Sequence, residues 1–250
     1  MTASPFEDRS DCYEAMIDWP KRLAHEAPFY RRLLQSVAAR RVLDVACGTG
    51  HHAALFHGWG LQVEGADISE SMLARARQNF GEPDGLAWTH RGYAEPPATA
   101  GPFDVALCVG NSLALAPDLP TVRLALARML AAVRPGGAVV VHVLNLWRLP
   151  DGPCHWQKCV RAELPQGPAI IFKGVHRQGA TGYVELLVSS LADVSQWRSD
   201  CVAFLGFEAA TLERWARAAG AGSVEVYGSY HDEPYQRSSS TDLIVVARAG

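Results

Sequence analysis

The 250-residue chain predicts an α/β fold: a doubly wound, mostly parallel sheet with its last strand antiparallel, and an antiparallel β insertion before the last helix. Three observations carry this. Short apolar runs alternate with helical stretches between residues 41 and 144, the order expected of a parallel sheet covered by helices. The first run stops at a glycine turn that opens a helix. Beyond residue 148 the pattern becomes alternation of period two, interrupted by Gln178-Gly-Ala-Thr-Gly182, which reads as a hairpin.

The first run is Arg41-Val-Leu-Asp-Val-Ala-Cys-Gly-Thr-Gly50. Its apolar residues suit a strand buried on both faces. Gly48 and Gly50 lack a Cβ, so the backbone turns sharply and a ligand comes close. Residues 51–57 then have helical composition. Gly48-x-Gly50-x-x-Ala53 also satisfies the dinucleotide pattern, so an NAD(P)-dependent oxidoreductase is the competing reading. Asp44 argues against it: a carboxylate inside the strand repels a pyrophosphate and suits a ligand bearing a cationic amine. Asp44 bonding the turn's own amides stays open as the plainer alternative. The second run, residues 61–69, ends in Asp67, placed to reach a ribose diol. Ser69 then caps a helix over residues 70–79.

Val42-Leu-Asp-Val-Ala-Cys-Gly-Thr-Gly50 and Gly65-Ala-Asp-Ile-Ser-Glu-Ser-Met72 resemble the first two motifs of the class I S-adenosylmethionine (SAM)-dependent methyltransferases. The later stretches are most similar to the glycine/sarcosine N-methyltransferase type. The resemblance implies a Rossmann-like sheet with SAM as cofactor and S-adenosylhomocysteine (SAH) as product.

Composition agrees with one such domain over residues 1–250, with a helical cover at 1–40 and an antiparallel insertion or lid at 148–207. A hydrophobic content of 48% is enough for a full core. A net charge of −3 gives no basic footprint for nucleic acid, so the expected partner is a small-molecule substrate, with a homodimer as the candidate assembly. The start has no apolar signal region, and no run approaches the roughly 18 apolar residues of a membrane span. A cytoplasmic location with reduced thiols follows for the six scattered cysteines. No metal is expected, because Cys154-His155-x3-Cys159 lacks a second ligand pair.

Taken in order, Asp11 and Pro20 mark the starts of two cover helices and Pro28 is expected to interrupt the second. The resemblance places Arg22 on the methionine carboxylate of SAM and Tyr13 beside the substrate; a solvated arginine is the alternative. A third strand falls at residues 86–91. Many relatives follow it with an acid for the adenine amine, but here Tyr93 and Ala94 stand in that place, with Glu95 as a displaced acid. The fourth strand, 103–109, leads through Val109 to Asn111 and Ser112. A helix over 119–133 follows. Arg134-Pro-Gly-Gly137 opens a fifth strand at 138–144, which carries His142 and is followed by Asn145 and Trp147. The insertion offers strands at 169–176, 183–191 and 199–207. Thr211 caps the last helix, 211–219, and strands at 222–230 and 242–248 close the chain.

The cofactor-binding set is thus Arg22, Asp44, Ala46, Gly48, Gly50, Asp67, Ile68, Met72, Tyr93, Ala94, Val109 and Asn111. The substrate-binding set is Tyr13, Ser112, Asn145, Trp147, Trp197, Tyr230 and Tyr235. The expected reaction is in-line transfer of the SAM methyl group to the nitrogen of a small amine. Positioning supplies on the order of 7–11 kcal/mol of such a barrier, so no catalytic dyad is required. Where a base helps, His142 and His231 are the candidates, with Tyr13 as a third catalytic residue at the sulfonium. Arg161, Lys173 and Arg177 are the cations the insertion offers an acidic acceptor, and none aligns with the family's. Small-molecule O-methyl transfer and a non-catalytic SAM-binding protein are the alternatives.

Overall fold

The computed structural model describes residues 10–99 and 101–250. Residues 1–9, on which the expectation of no signal region falls, and position 100 of the proline-rich loop lie outside the described residues. Five strands run parallel: β1 (Arg41–Val45), β2 (Gln62–Asp67), β3 (Leu86–His90), β4 (Phe103–Cys108) and β5 (Val133–Leu144). The insertion forms β6 (His155–Leu164), β7 (Gly167–Gln178), β8 (Thr181–Ser190) and β9 (Trp197–Leu205), a separate antiparallel sheet in that order. β10 (Ala221–Tyr227) and β11 (Asp242–Ala249) complete the central sheet, ordered β10-β11-β5-β4-β1-β2-β3. β11 is antiparallel to both neighbours, pairing Ile244 with His142 and Val245 with Val226.

The helices are α1 (Ser10–Met16), α2 (Trp19–Ser36), α3 (His51–Gly58), α4 (Glu70–Phe80), α5 (Leu119–Ala132) and α6 (Ala209–Ala218). Because helices cover both faces, the central strands are apolar throughout. Val42 packs with Phe29, Phe56 and Val140 on one side, while Leu43 and Val45 pack with Met129, Val139 and Leu212 on the other. Strand order reverses at β1, which pairs Val42 with Val63 of β2 and Val105 of β4. Crevices for ligands open at such a reversal, outside the carboxyl ends of the strands.

Several local expectations change. Pro28 sits inside α2 without ending it. Pro28 and Ala24, whose carbonyl it leaves unbonded, are both exposed, so water serves the carbonyl while Phe29, Tyr30, Leu33 and Leu34 anchor the buried face. Asp11 lies within α1 and pairs with Arg75 instead of capping. Thr211 is likewise inside α6, whose N-cap is Glu208. The fifth strand starts earlier than expected, because Val133 already pairs with Phe103 before an irregularity in the ladder. β6 escaped the alternation signal because most of its residues are exposed. The inner face of this sheet is covered by α1: Cys12 and Met16 pack with Ala162 of β6, Ile171 of β7, and Leu186 and Val188 of β8. Among the described residues no helix is long and apolar enough to cross a membrane.

The two turn glycines are needed for different reasons. Gly50 has φ +86° and a Cβ there would lie 2.5 Å from the Trp88 ring, whereas Gly48, at φ +57°, would direct a Cβ into open space. The left-handed backbone costs about 1–2 kcal/mol for an alanine at either place, and overpacking adds about 1–3 kcal/mol at Gly50 alone. Gly50→Ala is therefore expected to lower the urea midpoint well beyond Gly48→Ala, and Gly48→Ala to weaken SAH binding more than stability, as read by denaturation and calorimetry on both variants.

Candidate active site

Above the strand reversal a cleft of about 850 Å³ opens beneath α1 and α2. Tyr13, Trp19 and Arg22 form its roof. Asp44, Ala46, Cys47, Gly48 and His52 come from the first crossover, Asp67, Ile68 and Met72 from the second. Tyr93, Val109, Gly110, Ser112 and Leu115 complete the lining.

Asp67 joins the two crossovers. One carboxylate oxygen accepts the Gly48 amide at 2.8 Å and the other accepts the Ser69 amide at 2.9 Å. A carboxylate has about four acceptor sites, so each oxygen keeps capacity for a hydroxyl. Ser69 caps α4 as expected, its hydroxyl accepting the Met72 amide.

Asp44 is 1% exposed, and neither of its oxygens meets a donor. The Ala53 amide lies close enough to favour its charge but outside hydrogen-bonding geometry. Burial, then repulsion from Asp67, pushes its carboxyl up to about 7. A buried, unpaired carboxylate is costly, and a cation brought into the cleft relieves that cost. Ala46 and Gly48 both hold left-handed backbone here, at φ +59° and +57°. A side chain at Gly48 would enter the space a ligand needs.

Arg22 is held from behind. Its Nε donates to Glu26 Oε1 at 2.7 Å, and Glu26 Oε2 meets His52 Nε2 at 2.6 Å. Burial works against the charge of Glu26, yet the bonds from His52 and Arg22 outweigh it and hold the carboxyl at about 2. The guanidinium thus stays charged and fixed beside the cleft. At the far end Ile68 is 49% exposed although it lies against the cleft, and Met72 beneath it is buried. With Tyr93 they offer apolar faces to a flat ring. Glu95 does not join them, since its Oε1 accepts the Gly92 amide, and Ala94 also lies outside the lining. Gly50 shapes the turn from below without lining the cleft.

A second chamber of about 1120 Å³ adjoins the cleft and shares Tyr13, Arg22, Gly110 and Leu115 with it. Val184, Leu186 and Val202 of the insertion form its apolar wall. Asn111, His142, Tyr230 and Asp242, with Glu26 and His25 of α2, form the polar wall. His142 Nδ1 accepts the Gly110 amide at 3.1 Å and Nε2 faces Asp242 Oδ1 at 3.0 Å. An amide only donates, so Nδ1 carries no proton and Nε2–H donates to Asp242. Both ring nitrogens are engaged, which counts against the expected role of His142 as a base; Asp242, like Glu26, faces the chamber with acceptor capacity to spare. The Tyr230 hydroxyl accepts from Tyr30 at 3.2 Å, and burial pushes its phenol well up.

Other expected residues lie elsewhere. Asn111 faces the chamber instead of the cleft, its Oδ1 accepting the Leu144 amide. Ser112 lines the cleft instead of the chamber and donates to the Val109 carbonyl. Asn145, Trp147, Tyr235, Trp197 and His231 line neither. Asn145 is buried and pins the late loop: its Nδ2 donates to the Arg237 and Ser240 carbonyls and its Oδ1 accepts the Tyr235 hydroxyl. Trp147 donates to the Phe207 carbonyl beneath Arg237. Trp197 is 64% exposed on the insertion, and His231 is exposed with its ring edge-on to His25. Sequence reasoning missed Trp19, Glu26, His52, Lys173 as a wall residue, and Asp242. Only Glu26 carried a signal, as the acid four positions after Arg22 on one helix face.

A family model described as a methyltransferase domain matches residues 42–137. This stretch carries the features of the class I, SAM-dependent methyltransferases. The chain is 36% identical over 148 residues to a glycine/sarcosine N-methyltransferase of Parasynechococcus marenigrum, covering 58% of this chain and 52% of that one. It is 31% identical over 156 residues to the glycine N-methyltransferase of Homo sapiens, covering 54% and 53%. The chain therefore spans about half the length of the curated relatives it matches. Among solved structures it is similar to SAM-bound CalS10 of Micromonospora echinaspora, an amino pentose methyltransferase, at a TM-score of 0.73 and 24% identity over 98% of both chains. It is also similar to the sugar N-methyltransferase KedS8 of Streptoalloteichus, at a TM-score of 0.71 and 23% identity over 91% of this chain and 87% of that one. These two likenesses concern the fold. SAM is the cofactor of the family this stretch matches, and the unpaired Asp44, the open space at Gly48 and the spare acceptor capacity of Asp67 fit it.

The position of Asp44 has a pH consequence. Its raised carboxyl is protonated below about 7 in the free protein, whereas a cationic amine favours the carboxylate. Ligand binding below that pH must then expel a proton. SAH affinity is expected to fall as pH drops from 8 to 6, by up to about tenfold per unit below the carboxyl's own value. Calorimetry at pH 6 in two buffers of different ionisation enthalpy should register the released proton in the wild type and lose it in Asp44→Asn.

Proposed function

We propose that the chain is a SAM-dependent N-methyltransferase acting on a small-molecule amine. The observation that carries this is the abutment of the cofactor cleft and a chamber whose polar wall includes the carboxylate of Asp242, oriented by His142. Asp67 would take the ribose hydroxyls, Arg22 the carboxylate of the methionine portion and Asp44 its amine, with Ile68, Met72 and Tyr93 against the adenine. The bound cofactor supplies an electrophilic methyl carbon on a sulfonium.

The chain's own part is to place an amine opposite that carbon and keep water away. Val184, Leu186 and Val202 exclude water from one side of the chamber. Tyr13 and Gly110 stand where the two spaces meet. An ammonium would donate to Asp242 and leave its proton there, which frees the nitrogen lone pair for the methyl carbon that the cofactor would supply. His142 orients Asp242 through its Nε2–H and is itself held by the Gly110 amide. A carboxylate is a weak base, suited to an ammonium and poorly suited to an alkyl hydroxyl, which favours nitrogen over oxygen. The N-methyltransferase names among the relatives support the same choice, and the sugar and amino pentose enzymes show what this fold accommodates.

Methyl-labelled SAM offered with a panel of amino sugars, amino acids and phenols should place label on nitrogen. Asp242→Asn is expected to cut turnover about 100-fold, within the range for a lost proton acceptor, while SAH affinity stays within about twofold by calorimetry. Label found on phenols alone, or on nothing, would sink the reading.

A further inference from the structure

The chamber has a mouth of a different chemistry. Between the α1–α2 turn and the insertion lies a vestibule of about 1070 Å³, which shares Tyr13, Met16, Arg22, His25, Gly110 and Lys173 with the chamber. Lys21, Arg22, Lys158 and Lys173 line it, and Asp18 is its one acid among the described residues. Asp18 is already engaged, accepting the Lys21 amide as the cap of α2. A chain of net charge −3 thus gathers three lysines at one opening, beside an Arg22 already paired with Glu26.

Two of them are set against each other. Lys158 and Lys173 are direct cross-strand partners in the β6–β7 ladder, where like charges destabilise a sheet. Neither pairs with a carboxylate among the described residues. Lys158 Nζ is held toward the vestibule by the Met16 carbonyl at the end of α1. Burial lowers the Lys173 ammonium below its ordinary value, and Lys158 and Arg22 add to the shift. Lys21 adds a cation in the first turn of a helix, the end whose dipole already repels it. Each of these features is relieved by an anion seated between the strands and the helix.

Building on the N-methyltransferase reading, we propose that this vestibule binds a phosphate or diphosphate group carried by the acceptor, so that the acceptor is a phosphorylated amine. A carboxylate brings one negative charge to three lysine ammoniums. A phosphate group brings about −1.5 to −2 and three acceptor oxygens, and lysine ammoniums bind such groups as point charges. The amine would then lie at Asp242 with its phosphate tail at Lys173.

The test titrates pyrophosphate, inorganic phosphate and succinate into the SAH-saturated full chain at fixed ionic strength, followed by calorimetry. Pyrophosphate and phosphate should bind, with succinate at least about tenfold weaker. Lys173→Met should weaken pyrophosphate about tenfold or more with SAH affinity unchanged. Should that variant not fold, Lys158→Gln, on the exposed strand of the same pair, gives the same readout. No binding of either phosphate, equal binding of succinate, or pyrophosphate binding indifferent to both substitutions would overturn the proposal. Methyl transfer to an uncharged amino sugar is measured in parallel. Transfer without anion binding removes this inference alone, while anion binding without transfer to any amine removes the methyl-transfer reading and leaves the anion site standing.

Discussion

Asp67 bonds to two amides from different crossovers, Gly48 of the first and Ser69 of the second. Those amides sit at the two turns that bound the cleft, so one side chain sets their separation. The Gly48 bond presupposes backbone with positive φ at Ala46, Gly48 and Gly50, and Gly50 in turn is wedged against Trp88 of β3. The glycine turn, the second strand end and the sheet edge are one mechanical unit. Asp44 lies beneath that unit with no donor of its own, a cost the fold bears because the unit leaves room for a cation above it.

The opposite wall is built on a second network of similar logic. Arg22 would be a floppy surface side chain without Glu26, and Glu26 would be an expensive buried acid without His52 and Arg22. Breaking such a buried pair on one side leaves an uncompensated charge, which ties α2 to α3 as firmly as apolar packing does. The cover is therefore part of the site, and Tyr13, carried by α1, lines the cleft, the chamber and the vestibule alike.

How much of this was legible follows from the distance over which each signal acts. The strands and helices from β1 to α5 were readable because apolar periodicity, glycine turns and caps such as Ser69 are local. That Asp44, Asp67, Arg22 and Tyr93 line one cleft was legible because their motif spacing is short or the resemblance aligned them. Asp242, His52 and the facing of Lys173 depend on partners remote in sequence: His142 meets Asp242 a hundred residues later, and nothing local marks the pair. The aromatic residues misled for the opposite reason. Trp147, Tyr235 and Trp197 look like pocket residues by type, but Trp147 and Tyr235 have polar ends taken by nearby carbonyl and amide groups and Trp197 points outward. β6 was missed because a mostly exposed strand carries little alternation.

The donor's site and the acceptor's apolar wall come from separate stretches of chain: the crossovers between residues 41 and 72 and the insertion between residues 173 and 202. The family match ends at residue 137, before the insertion begins. Kinship judged from the shared half thus speaks to the methyl source and is silent on what receives it. On the proposed reading, substitutions at Val184, Leu186 or Val202 would redirect selectivity while the cleft stays as it is, so relatives with matching glycine turns need share no metabolite.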